Sequence, residues 1–441
     1  MPTIVIRQTP NTDPVAFSVS RIDAYQDDPE PRAVPRPNDI FVADKPDRPL
    51  RRELRWYLEH FLDYPYAPAT DRADETLAAL KAWGQQAFNA LFGGGPARDM
   101  YRQAITGPDD FKNLSLKIVA SDPLVLAWPW EALCDPQHGY LAHHCHIDRQ
   151  IQVDDPPELH PDLPTDRVNI LMVTARPYEA DVQYRAIARP LIDLIRDEGL
   201  PAEVTLLRPP TLDQLQKELQ AKPGYYHVVH FDGHGGYGIS NNDANPADTL
   251  NHDITPHQLR SAKGCLVFEK EDGSAHAVPA ETIGTLLREH KIPAAVLNAC
   301  QSATIDEHAE DAFASVAASL VRAGVRSVVA MAYSLYVSGA QRFLPDFYRE
   351  LFNHGTFAPP VRGGRRAMLA KTARVCARGT YPLQDWLVPV LYQQQQGVNL
   401  DFVRKPSPPD GSNPEASEQE QQASDIFTQA NLPHAADGFV G

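Results

Sequence analysis

Cysteine is scarce in this chain and follows no pairing pattern. Five residues, Cys134, Cys145, Cys265, Cys300 and Cys376, are scattered over 441 positions, an odd number with no CxxC spacing. That excludes a disulfide framework and points to free thiols in a reducing cytoplasm. Basic charge is in deficit too. Lys and Arg number 41 against 57 Asp and Glu, a formal net charge of −16, with a pI near 5.4. Capture of a nucleic-acid backbone or an anionic membrane surface needs the opposite sign, so neither is expected as a partner. No run of about 18 apolar residues occurs, which argues against a transmembrane helix. The opening MPTIVIRQTPNTDP lacks the basic and apolar regions of a signal peptide. A phosphate loop is missing as well: Gly93-Gly94-Gly95-Pro96 has no Lys-Ser/Thr after it and reads as a helix stop.

What is present is ordinary globular composition, 43% hydrophobic and 22% charged, over a length that suits two to three domains. The first 165 residues read as a mixed α+β accessory region. Strands are predicted over Thr3–Gln8, Ala16–Ser20, Leu114–Val119 and Ile147–Val153, and helices over Arg51–Phe61 and Asp74–Phe92. Pro29–Pro37 reads as a turn region. Trp128-Pro129-Trp130-Glu131-Ala132-Leu133 sets aromatics beside a carboxylate and reads as core.

From Arg167 the pattern alternates between apolar strands and amphipathic helices. Strands are predicted at Val168–Thr174, Glu203–Leu207, Tyr225–Phe231, Ala294–Ala299, Ser327–Ala332 and Leu387–Tyr392. The helices between them include Ala186–Asp197, Leu212–Gln220, Ala280–His290, Ala312–Ala323, Gly339–Asn353 and Val361–Ala377. Strands that are apolar on both faces and separated by such helices indicate a doubly wound, mostly parallel α/β sheet over 166–403. Residues 404–441 are rich in Pro, Ser, Gln and Glu. From Pro406 on they hold Asp410, Glu415, Glu418, Glu420, Asp425 and Asp437 but no Lys or Arg, which reads as a disordered acidic linker.

In a doubly wound sheet the site lies outside the carboxyl ends of the strands. Two strands end there on reactive side chains. One runs into His230-Phe231-Asp232-Gly233-His234-Gly235-Gly236, the other into Asn298-Ala299-Cys300-Gln301-Ser302. A thiol needs a neighbouring base to become a nucleophile, and an imidazole can take that proton and return it to a leaving amine. His234 as base and Cys300 as nucleophile fit this chemistry. The N–H groups of Gly235 and Cys300 are candidates for an oxyanion hole. Two other readings stay open. His230, Asp232 and His234 alternate and, with His227 or Cys300, would suit zinc in a metal hydrolase. The other reading is a protein that keeps the fold as an inactive interaction scaffold. The run His143-His144-Cys145-His146 is a weaker metal candidate, because neighbours on a strand face opposite ways.

These segments resemble the CHAT proteases, caspase-like bacterial cysteine peptidases of the caspase–separase–gingipain group, over roughly Arg51 to Val403. The resemblance rests on the His234 and Cys300 motifs. It is supported by Leu54-Arg55-Trp56-Tyr57-Leu58-Glu59, Trp128–Asp135, Leu171–Pro177, Ala323–Met331 and Phe343–Leu351. It implies a caspase-like fold, a His234–Cys300 dyad without a cofactor, and an oxyanion hole at Gly235 and Cys300. It also implies a pocket shaped by Asp232, Asn298 and Arg176. There Asp232 would favour a basic substrate residue and Arg176 an acidic one, unless the two pair with each other. A protein substrate and a role in bacterial defence or cell death follow by the same resemblance. So does control by an ATPase or repeat module in cis, or by a partner in trans. Phe439-Val440-Gly441 is similar to the opening of such an ATPase, which implies that the sequence continues in a longer protein. Relatives commonly carry Trp-Pro-Val where this chain has Ala332-Tyr333-Ser334-Leu335-Tyr336-Val337, so their specificity is not carried over.

Overall fold

The computed structural model describes residues 1–107, 110–120, 122–151, 153, 158–179, 181, 185–239, 262–300, 309–395, 397–400 and 439–440. Its first elements are the antiparallel strands β1 (Thr3–Gln8), β2 (Ala16–Arg21) and β3 (Gln26–Ala33). The proline-rich segment expected to be a turn is therefore strand as far as Ala33. β3 is the outermost strand of the sheet, and an edge tolerates Pro29 and Pro31 because one side needs no donor. Helices α1 (Leu50–Glu59) and α2 (Ala69–Phe92) follow. The glycine run ends α2 as expected, but a further helix, α3 (Gly95–Ala104), begins inside it. Gly95 has φ +66°, and the buried Asp28 of β3 accepts from the Ala97 N–H at 3.1 Å while pairing with Arg32 at 2.7 Å. A carboxylate thus meets the unsatisfied N–H groups and positive end of α3.

Strands β4 (Ser115–Val119) and β5 (His146–Ile151) add to β1 in parallel. The alternating half supplies β6 (Val168–Thr174), α4 (Arg185–Glu198), β7 (Ala202–Leu206), α5 (Leu212–Ala221), β8 (Val228–Ile239), the hairpin β9 (Ala262–Glu269) and β10 (Ala275–Pro279), and α6 (Ala280–Glu289). It continues with β11 (Ala294–Cys300), α7 (Ala309–Ala323), β12 (Ser327–Met331), α8 (Val337–His354), α9 (Ala358–Ala370) and β13 (Pro389–Gln394). These 13 strands share one sheet, ordered β10-β9-β8-β11-β12-β13-β5-β4-β1-β2-β3, with β6 and β7 branching beside β8. β13 joins β12 antiparallel and β5 in parallel, so the sheet and one apolar core run unbroken from the accessory region into the alternating half. Every residue of β6 is buried, as continuous apolar strands covered on both faces require. Among the described residues no helix is long and apolar enough to cross a membrane.

Two expected elements differ. The helix predicted to run to Ala377 ends at Ala370. The chain then forms a hairpin, Ala373–Cys376 with Gly379–Pro382, turning where Gly379 has φ +97°. Arg374 in that hairpin is buried and bonds Asp385 through two nitrogens at 2.7 Å each, a contact that a continued helix would not make. β8, predicted to stop at Phe231, runs on to Ile239 by changing partner. One edge pairs with β6 in parallel through Asp232, then with β9 antiparallel from His234.

The aromatic–carboxylate segment is core, as its composition suggests. Trp130 packs edge-on against Phe17 and Trp83. Glu131 accepts from Arg149 of β5 at 2.6 and 2.8 Å and from Arg365 of α9 at 2.7 Å. Arg365 also donates to the Pro389 carbonyl, where β13 begins. Burial opposes the charge on Glu131, but Arg149 and Arg365 outweigh it and hold its carboxyl below the ordinary range. This triad fastens the accessory region to the alternating half. E131A leaves two buried guanidinium groups without their counter-charge. It is expected to destabilise the fold by about 3–5 kcal/mol, read as a lower urea midpoint.

A second cross-link sits under β8. His230 is fully buried, its Nδ1 2.7 Å from the Tyr348 hydroxyl of α8. Burial lowers its pKa from 6.5 to about 3, and His146 is lowered to about 3 by the same cause. The unfolded chain therefore takes up protons near pH 6.5 that the folded chain refuses until about 3. The stabilisation is full above pH 6.5 and is lost as pH falls through that window. Between pH 6.5 and 5, ordinary carboxylates stay ionised. The unfolding free energy from urea titrations should fall there by up to about 1.4 kcal/mol per pH unit for each such histidine. H230F should be less stable at pH 7 but flatter with pH.

Candidate active site

The register of β8 and β11 decides where the two motifs meet. Asp232 is the partner of Asn298, and His234 is the partner of Cys300. Neighbouring strands lie about 4.8 Å apart, so the backbone positions of the expected base and nucleophile are adjacent. The Cys300 side chain, Gln301 and Ser302 lie outside the described residues. So do 240–261, most of the polar loop between the motifs, and most of the 404–441 linker.

His234 sits where β8 exchanges β6 for β9. The residue is 4% exposed. Nε2 is 2.6 Å from Asp181 Oδ1, and the Tyr178 ring meets the imidazole edge-on at 4.8 Å between centroids. Asp181 is itself fixed: its Oδ2 accepts from the Tyr178 N–H at 2.9 Å, and its own N–H donates to the Tyr178 carbonyl at 3.1 Å. An ionised carboxylate only accepts, so Nε2 carries the proton in this pair. Nδ1 is buried with no hydrogen-bond partner among the described residues.

The glycine before His234 answers a packing demand. A Cβ at Gly233 would stand 2.9 Å from the Phe231 ring and 3.2 Å from the Ala175 carbonyl oxygen, closer than any larger residue allows. Gly235 pairs with Leu266 of β9 in the antiparallel ladder.

Two residues below this row, Asp232 and Asn298 are fully buried. Asp232 Oδ2 accepts from Arg176 Nη2 at 2.7 Å, and Oδ1 accepts from the Asn298 amide at 3.0 Å. Arg176 also donates to the Asp232 and Ala175 carbonyls, and its backbone N–H donates to Glu269 at 2.7 Å. Arg176 and Asp232 therefore pair with each other. Burial pushes the Asp232 carboxyl above its ordinary value, and the guanidinium and amide beside it oppose that shift.

The residues considered for zinc have separate partners. His230 engages Tyr348, Asp232 engages Arg176 and Asn298, and His234 engages Asp181. His227 takes the Asn169 N–H on Nδ1 and lies 2.9 Å from the Pro164 carbonyl through Nε2. Among the described residues no three His, Cys, Asp or Glu side chains are grouped to hold a metal ion. In the second run, His143 packs on Trp386, His144 stacks on Phe111, and Cys145 and His146 are buried. Cys134, Cys145, Cys265 and Cys376 are free thiols. Burial pushes Cys145 and Cys265 up to about 12 and raises Cys134, the opposite of activation.

Asp181 and Tyr178 were not singled out from the sequence. No spacing marks them. The available cue was a carboxylate in the loop that leaves the first central strand, on the side where the two motifs converge.

No curated protein matches the sequence. Similar solved structures include the Arg-specific cysteine proteinase gingipain R, at 11% identity and a TM-score of 0.37, covering 75% of this chain and 69% of that one. A complex of the pro- and mature domains of RgpB from Porphyromonas gingivalis gives 10%, 0.38, 75% and 71%. The separase–securin complex of Saccharomyces cerevisiae gives 10% and 0.41, with 91% of this chain but 30% of that one. The architecture is α/β, a mostly parallel sheet flanked by helices. The CHAT domain model matches residues 81–396, well over half of the sequence, and the chain belongs to the CHAT domain family.

Proposed function

We propose that the protein is a cysteine endopeptidase in which Cys300 is the nucleophile, His234 the base and Asp181 the residue that positions it. The observation that carries this reading is the state of His234. A fixed carboxylate holds the proton on Nε2, while Nδ1, which has no partner among the described residues, sits on the residue paired across the sheet with Cys300. Nδ1 takes the thiol proton, and the thiolate attacks the scissile carbonyl carbon. The N–H groups of Gly235 and Cys300 receive the oxyanion. The imidazolium then protonates the departing amine as the C–N bond breaks, leaving a thioester. Water, deprotonated by the same nitrogen, hydrolyses the thioester and frees the new carboxylate and the thiol. Asp181 remains ionised throughout, stabilising the imidazolium and the ring's orientation.

Arg176, Asp232 and Asn298 are read as the floor of the pocket for the residue before the scissile bond. With Arg176 and Asp232 neutralising each other, that floor selects for neither charge strongly. The substrate class is protein, the compartment the bacterial cytoplasm and the setting defence or cell death. Control comes from an ATPase or repeat module in cis or a partner in trans.

C300A is expected to abolish peptide turnover and labelling by a thiol-directed probe while leaving the thermal midpoint unchanged. Undiminished turnover would assign the chemistry to another residue. D181N keeps the shape but no longer enforces the proton on Nε2. It should lower kcat/KM by about 10²–10⁴-fold, through kcat rather than KM, with partial rescue in D181E. A purely structural aspartate would instead show itself as a lower thermal midpoint with kcat retained in the folded fraction.

A further inference from the structure

Two edges of the 13-stranded sheet are finished differently. The outer edge of β3 carries Pro29 and Pro31 among the charges Asp27, Asp28, Glu30 and Arg32. Prolines and charges of this kind keep an edge from pairing with another chain. β7 is Ala202-Glu203-Val204-Thr205-Leu206, with no proline or lysine, and among the described residues it pairs with β6 alone. Its one charge, Glu203, is held by Arg167 of the same chain at 3.3 Å. No residue of β7 is fully buried and Leu206 is 39% exposed, whereas every residue of β6 is buried.

The ladder with β6 fixes which groups of β7 face outward. The Val168 N–H donates to the Pro201 carbonyl at 2.8 Å, and the Leu207 N–H donates to the Met172 carbonyl at 2.9 Å. Odd-numbered residues therefore turn their main-chain groups toward β6. Those of Ala202, Val204 and Leu206 turn to the open edge, because the direction alternates along a strand. The Ala202 N–H is satisfied locally by the Leu200 carbonyl at 2.8 Å. The N–H and C=O groups of Val204 and Leu206 have no main-chain partner among the described residues.

We propose that β7 is an interface between two copies of this chain, paired antiparallel about a two-fold axis at Val204. The inference is independent of the peptidase reading. In that register Val204 stands opposite Val204 of the second copy, and each donates its N–H to the other's carbonyl. Leu206 stands opposite Ala202 of the second copy, a large side chain against a small one, and its N–H donates to that residue's carbonyl. On the other face of the sheet Glu203 stands opposite Thr205. Sliding the pair by two residues one way sets Glu203 against Glu203, and like charges directly opposite are destabilising. Sliding it the other way leaves Ala202 outside the paired strands. A slip by one residue puts the apolar side chains on the wrong face. The strand is therefore complementary to itself in one register, as a two-fold contact requires.

A contact built on so short a strand is small, and a dissociation constant of about 10 µM is expected. Sedimentation of the 441-residue chain over a dilution series should show a dimer that gives way to monomer near that concentration. V204P removes the central N–H without costing a bond to β6, as edge prolines do. It should be monomeric throughout, with the thermal midpoint of the parent. A parent that is still monomeric tenfold above that concentration overturns the proposal, as does a dimer that survives V204P. The register is read separately, by disulfide formation on mild oxidation in a C300A/C376A background, where the native thiols left, Cys134, Cys145 and Cys265, are buried. V204C should link to itself, because opposite residues of this type have Cα atoms about 5.5 Å apart, within reach of a disulfide. L206C should not, its counterpart lying about 13 Å along the strand, yet it should link when mixed with A202C. Absence of a V204C link, or equal linking by V204C and L206C, overturns the proposal even where V204P fails to fold.

Discussion

One buried carboxylate sets the geometry on which the site depends. Asp232 lies on β8, its amide partner Asn298 on β11, and its guanidinium partner Arg176 just past the end of β6. Three parallel strands are thus tied together by side chains one step below the row that holds His234 and Cys300. Removing a partner would strand a charge in the core at a cost of about 3–5 kcal/mol, so the register at that row is strongly specified. The same guanidinium fixes the direction in which the chain leaves β6. Five residues further on, that chain supplies the carboxylate that meets the imidazole. Orientation of the imidazole is therefore inherited from a salt bridge two residues away from it.

The accessory region belongs to this apparatus structurally. The sheet passes from β12 through β13 into β5, and Glu131 holds Arg149 and Arg365 across that seam. Glu59 of α1 reaches the segment just beyond β12. Both contacts are buried and charged, so they are costly to satisfy partly and constraining once satisfied. A protein in which the first 165 residues merely decorated the sheet would need neither.

Much of this was legible beforehand, because it rests on short-range patterns. The continuous apolar run Val168–Thr174 read as a buried strand and is one, and the alternating half follows the helix–strand periods closely. The conjunction of the His234 and Cys300 motifs carried the family resemblance, which the CHAT domain match bears out. Other features depend on partners distant in sequence. Whether a proline-bearing segment is strand depends on its standing at an edge, as β3 does. The extension of β8 past Phe231 depends on β9 arriving to replace β6. Asp181 becomes part of the site only when a loop after β6 folds back over β8, 53 residues away in sequence. No local spacing encodes those meetings.

The pairing of Arg176 with Asp232 also bears on recognition. A basic substrate side chain seeking Asp232 would have to displace a guanidinium held by three acceptors, on a carboxylate with no exposed surface. An acidic one seeking Arg176 would face the same carboxylate already in place. Either exchange sets the breaking of a buried pair, about 3–5 kcal/mol, against a new ion pair that brings its own desolvation cost. A gain of that kind seldom exceeds the loss. If these residues floor the substrate pocket as proposed above, discrimination by charge there is weak and selection falls to shape and main-chain contacts.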